Sequence, residues 1–149
     1  MSAEWWGVIL QAITVFAVGF AAFQLMFHSR QMHRDLEMAY VGRYWSLMDE
    51  RSLEFVRSQQ VSDRDRVVIF KYLQLCEDEL DLRQIARVTD NTWGFWSQSM
   101  YSQLDAAPYR NILQSLDSTM FPHVRRLLEA GPDYDPLQKS TWWRRTRGL

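Results

Sequence analysis

The sequence predicts an all-α protein in which one N-terminal transmembrane helix continues into a small cytoplasmic helical bundle. Three observations predict it. Residues 5–27 carry no charge. Apolar residues recur at three- and four-residue steps through most of the remaining chain. The stretches so defined begin at a hydroxyl cap or a proline, or end at glycine. The chain therefore divides into an anchor at 1–28, a cytoplasmic helical domain at 29–131, and a linker with a Trp/Arg-rich tail at 132–149.

In the first segment the polar residues between Trp5 and Phe27 are Gln11, Thr14 and Gln24. As a helix this run spans roughly 34 Å, slightly more than the hydrocarbon core of a bilayer. Trp5 and Trp6 supply an aromatic belt at one end, and His28, Arg30, His33 and Arg34 a basic collar at the other. A cleaved signal peptide would want a positive n-region and a small-residue cleavage site. Here Glu4 precedes the run without Lys or Arg, and the run ends in bulky Leu25, Met26 and Phe27. The segment thus reads as an uncleaved anchor with the basic collar inside and the N-terminus outside. The remaining alternative is a buried core helix of a soluble protein.

Around this helix Ile9, Ile13, Phe16, Phe20, Phe23 and Phe27 fall in one sector, which suits lipid. Thr14, Ala17, Ala21, Gln24 and His28 share the far side, and small or hydrogen-bonding residues there suit helix–helix contact within a bilayer. Self-association is the expectation. Whether that face packs dry or lines a narrow polar pore stays open, since Thr14, Gln24 and His28 are all hydratable.

From Met32 to Val61 the helical pattern persists, through Leu36, Tyr40, Tyr44, Leu47, Leu53 and Val56, with bends expected at Gly42 and Asp49–Ser52. Ser62 with Asp65 three residues on forms a capping box. The helix it opens carries Val68, Tyr72, Leu75, Cys76, Glu79, Leu80 and Arg83 near one stripe, so a carboxylate sits in the apolar face with Arg83 as its nearest partner. Glu77, Asp78, Glu79 and Asp81 read as a solvated face with one interior ion pair. Asp90 or Asn91 is expected to cap the next helix, whose Trp93, Trp96, Met100 and Leu104 share a core side. Pro108 opens a further helix, with Ile112, Leu113, Leu116 and Met120 as its apolar positions. A last one runs from Pro122 to Gly131-Pro132, with Leu127 and Leu128 inside. In the tail, Trp142, Trp143, Arg144, Arg145 and Arg147 suit a membrane interface or an acidic, aromatic-accepting partner, or else the tryptophans pack on the domain or a neighbouring subunit.

Composition narrows the function. Net charge is -1, so no basic field points to direct nucleic-acid binding. A lone cysteine, Cys76, excludes a disulfide framework or a multi-thiolate zinc site and reads as a structural core residue, like Glu79, Trp93 and Trp96. No phosphate-binding glycine loop, nucleophile elbow or paired-His metal motif is present. The expectation is a non-enzyme without cofactor or metal.

The run Phe70-Lys71-Tyr72-Leu73-Gln74-Leu75-Cys76-Glu77-Asp78-Glu79-Leu80, then Trp93, Trp96 and Met100, then Pro108-Tyr109, resembles the DUF4760-like small bacterial membrane proteins. Those have one N-terminal membrane helix, a Y-x-x-L-C-x-x-E-L helix, and a W-x-x-W or W-x-x-x-M helix. The layout is also similar to the membrane accessory protein of type VI-B CRISPR systems. That resemblance implies a helical nucleotide-binding-like domain on a membrane anchor, a homo-oligomeric ring-shaped pore, CRISPR or other defence partners, and antiviral action by depolarising the bacterial inner membrane. The Arg–His ribonuclease spacing of that wider class, with four to six residues between the two, is absent from this sequence.

Overall fold

The computed structural model describes residues 3–149, with side chains from Trp5 onward; Glu4 lies outside the described side chains. Its helices are α1 (Ala3–Asp49), α2 (Leu53–Ser58), α3 (Asp63–Gln84), α4 (Asp90–Asp105), α5 (Ala107–Ser115), α6 (Pro122–Ala130) and α7 (Thr141–Thr146). Among the described residues there is no strand, and the protein is all-α with one long apolar N-terminal helix.

That helix, α1, has 47 residues and so runs roughly 70 Å. Its two halves live in different surroundings. Residues 5–28 are exposed without exception. From His33 onward one stripe turns inward: His33 and Met48 are buried, and Tyr40 and Tyr44 pack on the core. α1 passes through Gly42 without interruption and ends at Asp49, inside the second expected break. The expectation of helix out to Val61 is corrected. α2 stops at Ser58 because Gln59 turns left-handed at φ 56° and donates its N–H to Phe55 O at 2.9 Å.

Asp65 ties these short pieces together. It completes the capping box on Ser62 and also accepts from the N–H and the hydroxyl of Ser52, the N-cap of α2, both at 2.8 Å. Burial alone would raise its pKa, but the donors on Ser52 and Ser62 outweigh that and hold it at about 2. One carboxylate thereby organises the starts of two helices.

The stripe expected on α3 is buried throughout, from Val68 at 3% exposure to Arg83 at 1%. Around it lie Leu104, Tyr109, Val124 and Leu127, with Tyr72 edge-on to Tyr109 at 5.4 Å. The acidic cluster is not one solvated face. Glu77 accepts from the N–H groups of His123 and Val124, capping α6, whose own N-cap Phe121 has no side chain to do so. Asp78 meets Arg43 of α1 at 3.6 Å. Glu79 turns into the interior.

α4 is capped by Thr89 rather than by Asp90 or Asn91. Asp90 is drawn away to Arg83. Pro108 and Pro122 stand in the first turns of α5 and α6, and Gly131 ends α6 at φ 93°, where a side chain would be strained. Arg125 closes the other end of α5 by donating to the carbonyls of Leu113, Leu116 and Asp117.

Candidate functional site

The long arm of α1 carries the sequence-derived site, and the bundle sets its base. Two side chains, one imidazole and one carboxylate, clamp α1 to the loop before α4. His33 Nδ1 lies 2.8 Å from Arg87 O, so that nitrogen carries the proton and donates. Glu37 accepts from Thr89 N–H, Thr89 hydroxyl and Thr92 hydroxyl at 2.7–2.8 Å. His33 is thus removed from the basic collar: it is 6% exposed and spent on an internal bond. Sequence reasoning passed over Glu37. The signal was there, since His33, Glu37, Tyr40, Tyr44 and Met48 succeed one another at helical steps of three and four.

Beyond the clamp, Arg30 and Arg34 are exposed, as are His28, Gln24, Ala21 and Ala17. The Thr14 hydroxyl donates to Leu10 O at 2.9 Å, its own helix satisfying it. Trp5 and Trp6 project at the outer end. The bulky sector from Ile9 to Phe27 and the small-residue sector are bare alike within one chain.

The tail does not hang free. Arg83 reaches out of α3 with a bidentate grip on Asp135, at 2.9 and 2.6 Å, a further bond to Asp90 at 2.6 Å and one to Val88 O at 2.8 Å. Arg144 of α7 completes a four-charge cluster through Asp90 and Asp135. Burial would raise the Asp135 carboxyl, yet Arg83, the Leu137 N–H and Arg144 hold it below the usual range. Leu137 is buried, and Trp93 Nε1 donates to Tyr134 O at 3.2 Å. Of the readings left open for the tail, Arg144 takes the packing one within this chain, pairing with Asp90 and Asp135. Trp143 is half-buried between Lys139 and Arg147, while Trp142 is 74% exposed and Arg145 is exposed.

This docking brings the chain end beside the collar. A side-chain carbon at Gly148 would sit 3.7 Å from Arg30 Cγ. Arg30, Arg34 and Arg145 then line one open cavity with the first turn of α4. α7 accordingly lies level with residues 25–30 of α1.

The expected Glu79–Arg83 pair is overturned. Arg83 is fully engaged with the two aspartates, and Glu79, though 6% exposed, has no hydrogen-bond donor among the described residues. Burial pushes its pKa up to about 8, against a downward pull from Arg43 and a small upward push from Asp78. Burial likewise pushes the Cys76 thiol well above its ordinary value, so Cys76 is a core residue of low reactivity. Trp93 is buried and Trp96 half-buried on the same side of α4. Among the described residues no group of three His, Cys, Asp or Glu side chains could hold a metal ion.

No family model matches this chain, and no curated protein or solved structure is significantly similar to it.

Proposed function

We propose that this chain is a single-pass protein of the bacterial inner membrane, with its N-terminus outside and its helical domain cytoplasmic, that assembles as a homo-oligomer and acts as a pore-forming or membrane-depolarising antiviral effector. The observation that supports the anchor is the complete exposure of an apolar helical arm. About a dozen aliphatic and Phe side chains between Val8 and Phe27 are exposed, which in water forgoes on the order of 20–30 kcal/mol of burial. A bilayer supplies that burial. A core helix of a soluble domain would be covered by its own fold, and none of this segment is. An uncleaved anchor is favoured over a signal sequence because α1 runs unbroken from the apolar arm into the packed stripe at His33–Met48. The Arg30–Arg34–Arg145 cluster and exposed Trp142 then lie where headgroups would be.

The small and polar stripe Thr14, Ala17, Ala21, Gln24 and His28 supports self-association through that face, and its hydratable members support a pore. The antiviral assignment rests on the likeness of layout to the type VI-B CRISPR accessory protein. A second reading, a non-conducting adaptor that tethers a cytoplasmic partner, is supported by exposed Trp142, Arg145 and Arg147. Ion and dye flux from liposomes holding the purified protein tests the two. A pore conducts, Gln24→Leu abolishes conduction while assembly persists, and deleting residues 142–149 leaves flux in place. Wild-type protein that carries no current in any condition, yet loses cellular activity with the tail, sinks the pore.

A further inference from the structure

A cavity of about 320 Å³ opens where α1, α3 and α4 meet, at the small end of ligand-site volumes. Tyr44, Trp45, Tyr72, Trp96 and Met100 wall it, and Glu79 is the one ionisable carboxyl on its lining. The rings form ordered pairs: Tyr44 stands edge-on to Trp45 at 5.2 Å and to Tyr72 at 6.1 Å, and Tyr40 backs Trp96 at 6.4 Å. The Trp45 ring is 60% exposed and lies on the lining, so the walls are accessible from solvent. Three features thus converge on one space: aromatic walls, a compact volume, and a largely buried acid whose carboxyl accepts no hydrogen bond among the described residues.

We propose that this cavity is a binding site for a compact organic ammonium ion, with the Glu79 carboxylate as its counter-ion and the rings of Tyr44, Trp45, Tyr72 and Trp96 as its walls. The π faces of aromatic rings attract cations, and quaternary ammonium groups above all. A neutral apolar guest satisfies the rings and leaves the carboxyl unpaired, and an anion confronts it. A cation satisfies both at once. The nearby cation Arg43 pulls the Glu79 carboxyl down, but less than burial pushes it up. Arg43 is held by Asp78 at 3.6 Å and lies over Tyr40, and it is not on the lining. Burial keeps the Tyr44 and Tyr72 hydroxyls and the Cys76 thiol above their ordinary values, so they stay neutral, as does Tyr40. Trp45 lies eighteen residues beyond Phe27 on α1, roughly 27 Å along the axis, so a soluble cation rather than a lipid headgroup reaches the site.

Binding is linked to a proton. The empty site holds Glu79 protonated at neutral pH, its pKa near 8, and a cation displaces that proton into the buffer. Calorimetric titration of the full-length protein in detergent, with choline and with its uncharged carbon isostere 3,3-dimethylbutan-1-ol, tests the site. At pH 8.5 choline is expected to bind at least tenfold more tightly than the isostere. Its affinity should fall roughly tenfold per unit between pH 8 and pH 6. Glu79→Gln, which keeps the shape of the side chain, should lose at least tenfold. Trp45→Leu, at an exposed ring whose loss leaves the fold intact, should lose several-fold. Equal binding of the isostere, choline affinity unmoved by both substitutions, or no choline binding up to about 10 mM would each overturn the proposal.

Discussion

Replacing Glu79 by Gln should stabilise the bundle, and by an amount that grows with pH. The side chain lies on α3 with 6% exposure, and burial raises its folded pKa from 4.5 to about 8. An acid whose folded pKa is raised holds a proton that the unfolded chain releases. Wild-type stability is therefore unaffected by Glu79 below pH 4.5, falls as pH rises from 4.5 to 8, and is flat above 8. The full loss, three and a half units at 1.36 kcal/mol each, is on the order of 5 kcal/mol, and at pH 7 on the order of 3 kcal/mol. Gln occupies the same volume and never ionises, so it escapes this penalty. In a domain of this size 3 kcal/mol corresponds to roughly 10 °C in Tm. Thermal and urea unfolding in detergent at pH 5, 7 and 8.5, monitored by far-UV circular dichroism, measures it. The two proteins should differ by only about 1 kcal/mol at pH 5 and diverge upward from there. Parallel pH profiles, or a Gln variant less stable at pH 8.5, would refute the reasoning and show that the carboxylate has a partner after all.

Other substitutions carry signed expectations. Asp65→Ala should cost about 2 kcal/mol, because Ser52 and Ser62 lose their shared acceptor; wild-type stability should also drop as pH falls from 3.8 to about 2, since a depressed folded pKa stabilises only above that window. Arg83→Met should cost roughly 3–5 kcal/mol and free the tail, read as faster proteolysis at residues 138–149, and Arg83→Lys should rescue poorly because an ammonium cannot grip Asp135 in two places. Glu37→Ala should loosen α1 from the loop before α4, seen as faster amide exchange at Thr89 and Thr92 with the core of α3 unchanged. In the apolar arm of α1, Ala21→Leu should weaken assembly more than Phe20→Leu does, measured by crosslinking; equal retention of oligomer would reverse the assignment of faces.

Local physics was legible in the sequence wherever a few adjacent residues suffice. The uncharged run at 5–27, the Ser62–Asp65 box, the prolines opening α5 and α6 and the glycine closing α6 each act within one helical turn or one continuous run; the run forms an exposed apolar helix, and the box, prolines and glycine stand at helix ends. The α3 stripe was legible too, because burial tracks the helical period. Partner choice was not. Arg83 lies one turn from Glu79, yet it takes Asp135, fifty-two residues on, because the chain after α6 returns with a carboxylate that accepts both guanidinium nitrogens. The same return turns Arg144 inward and sets α7 beside Arg30. His33 reads as a collar charge and Glu37 carries no motif, and both become clamps only when the loop before α4 and its first turn arrive against them. The cavity around Glu79 belongs to this second kind, since its walls come from three helices and no window of sequence holds them together. Charge pairing at distances near 3 Å depends on which segments meet, and that is decided by the packing of the whole bundle rather than by spacing along the chain.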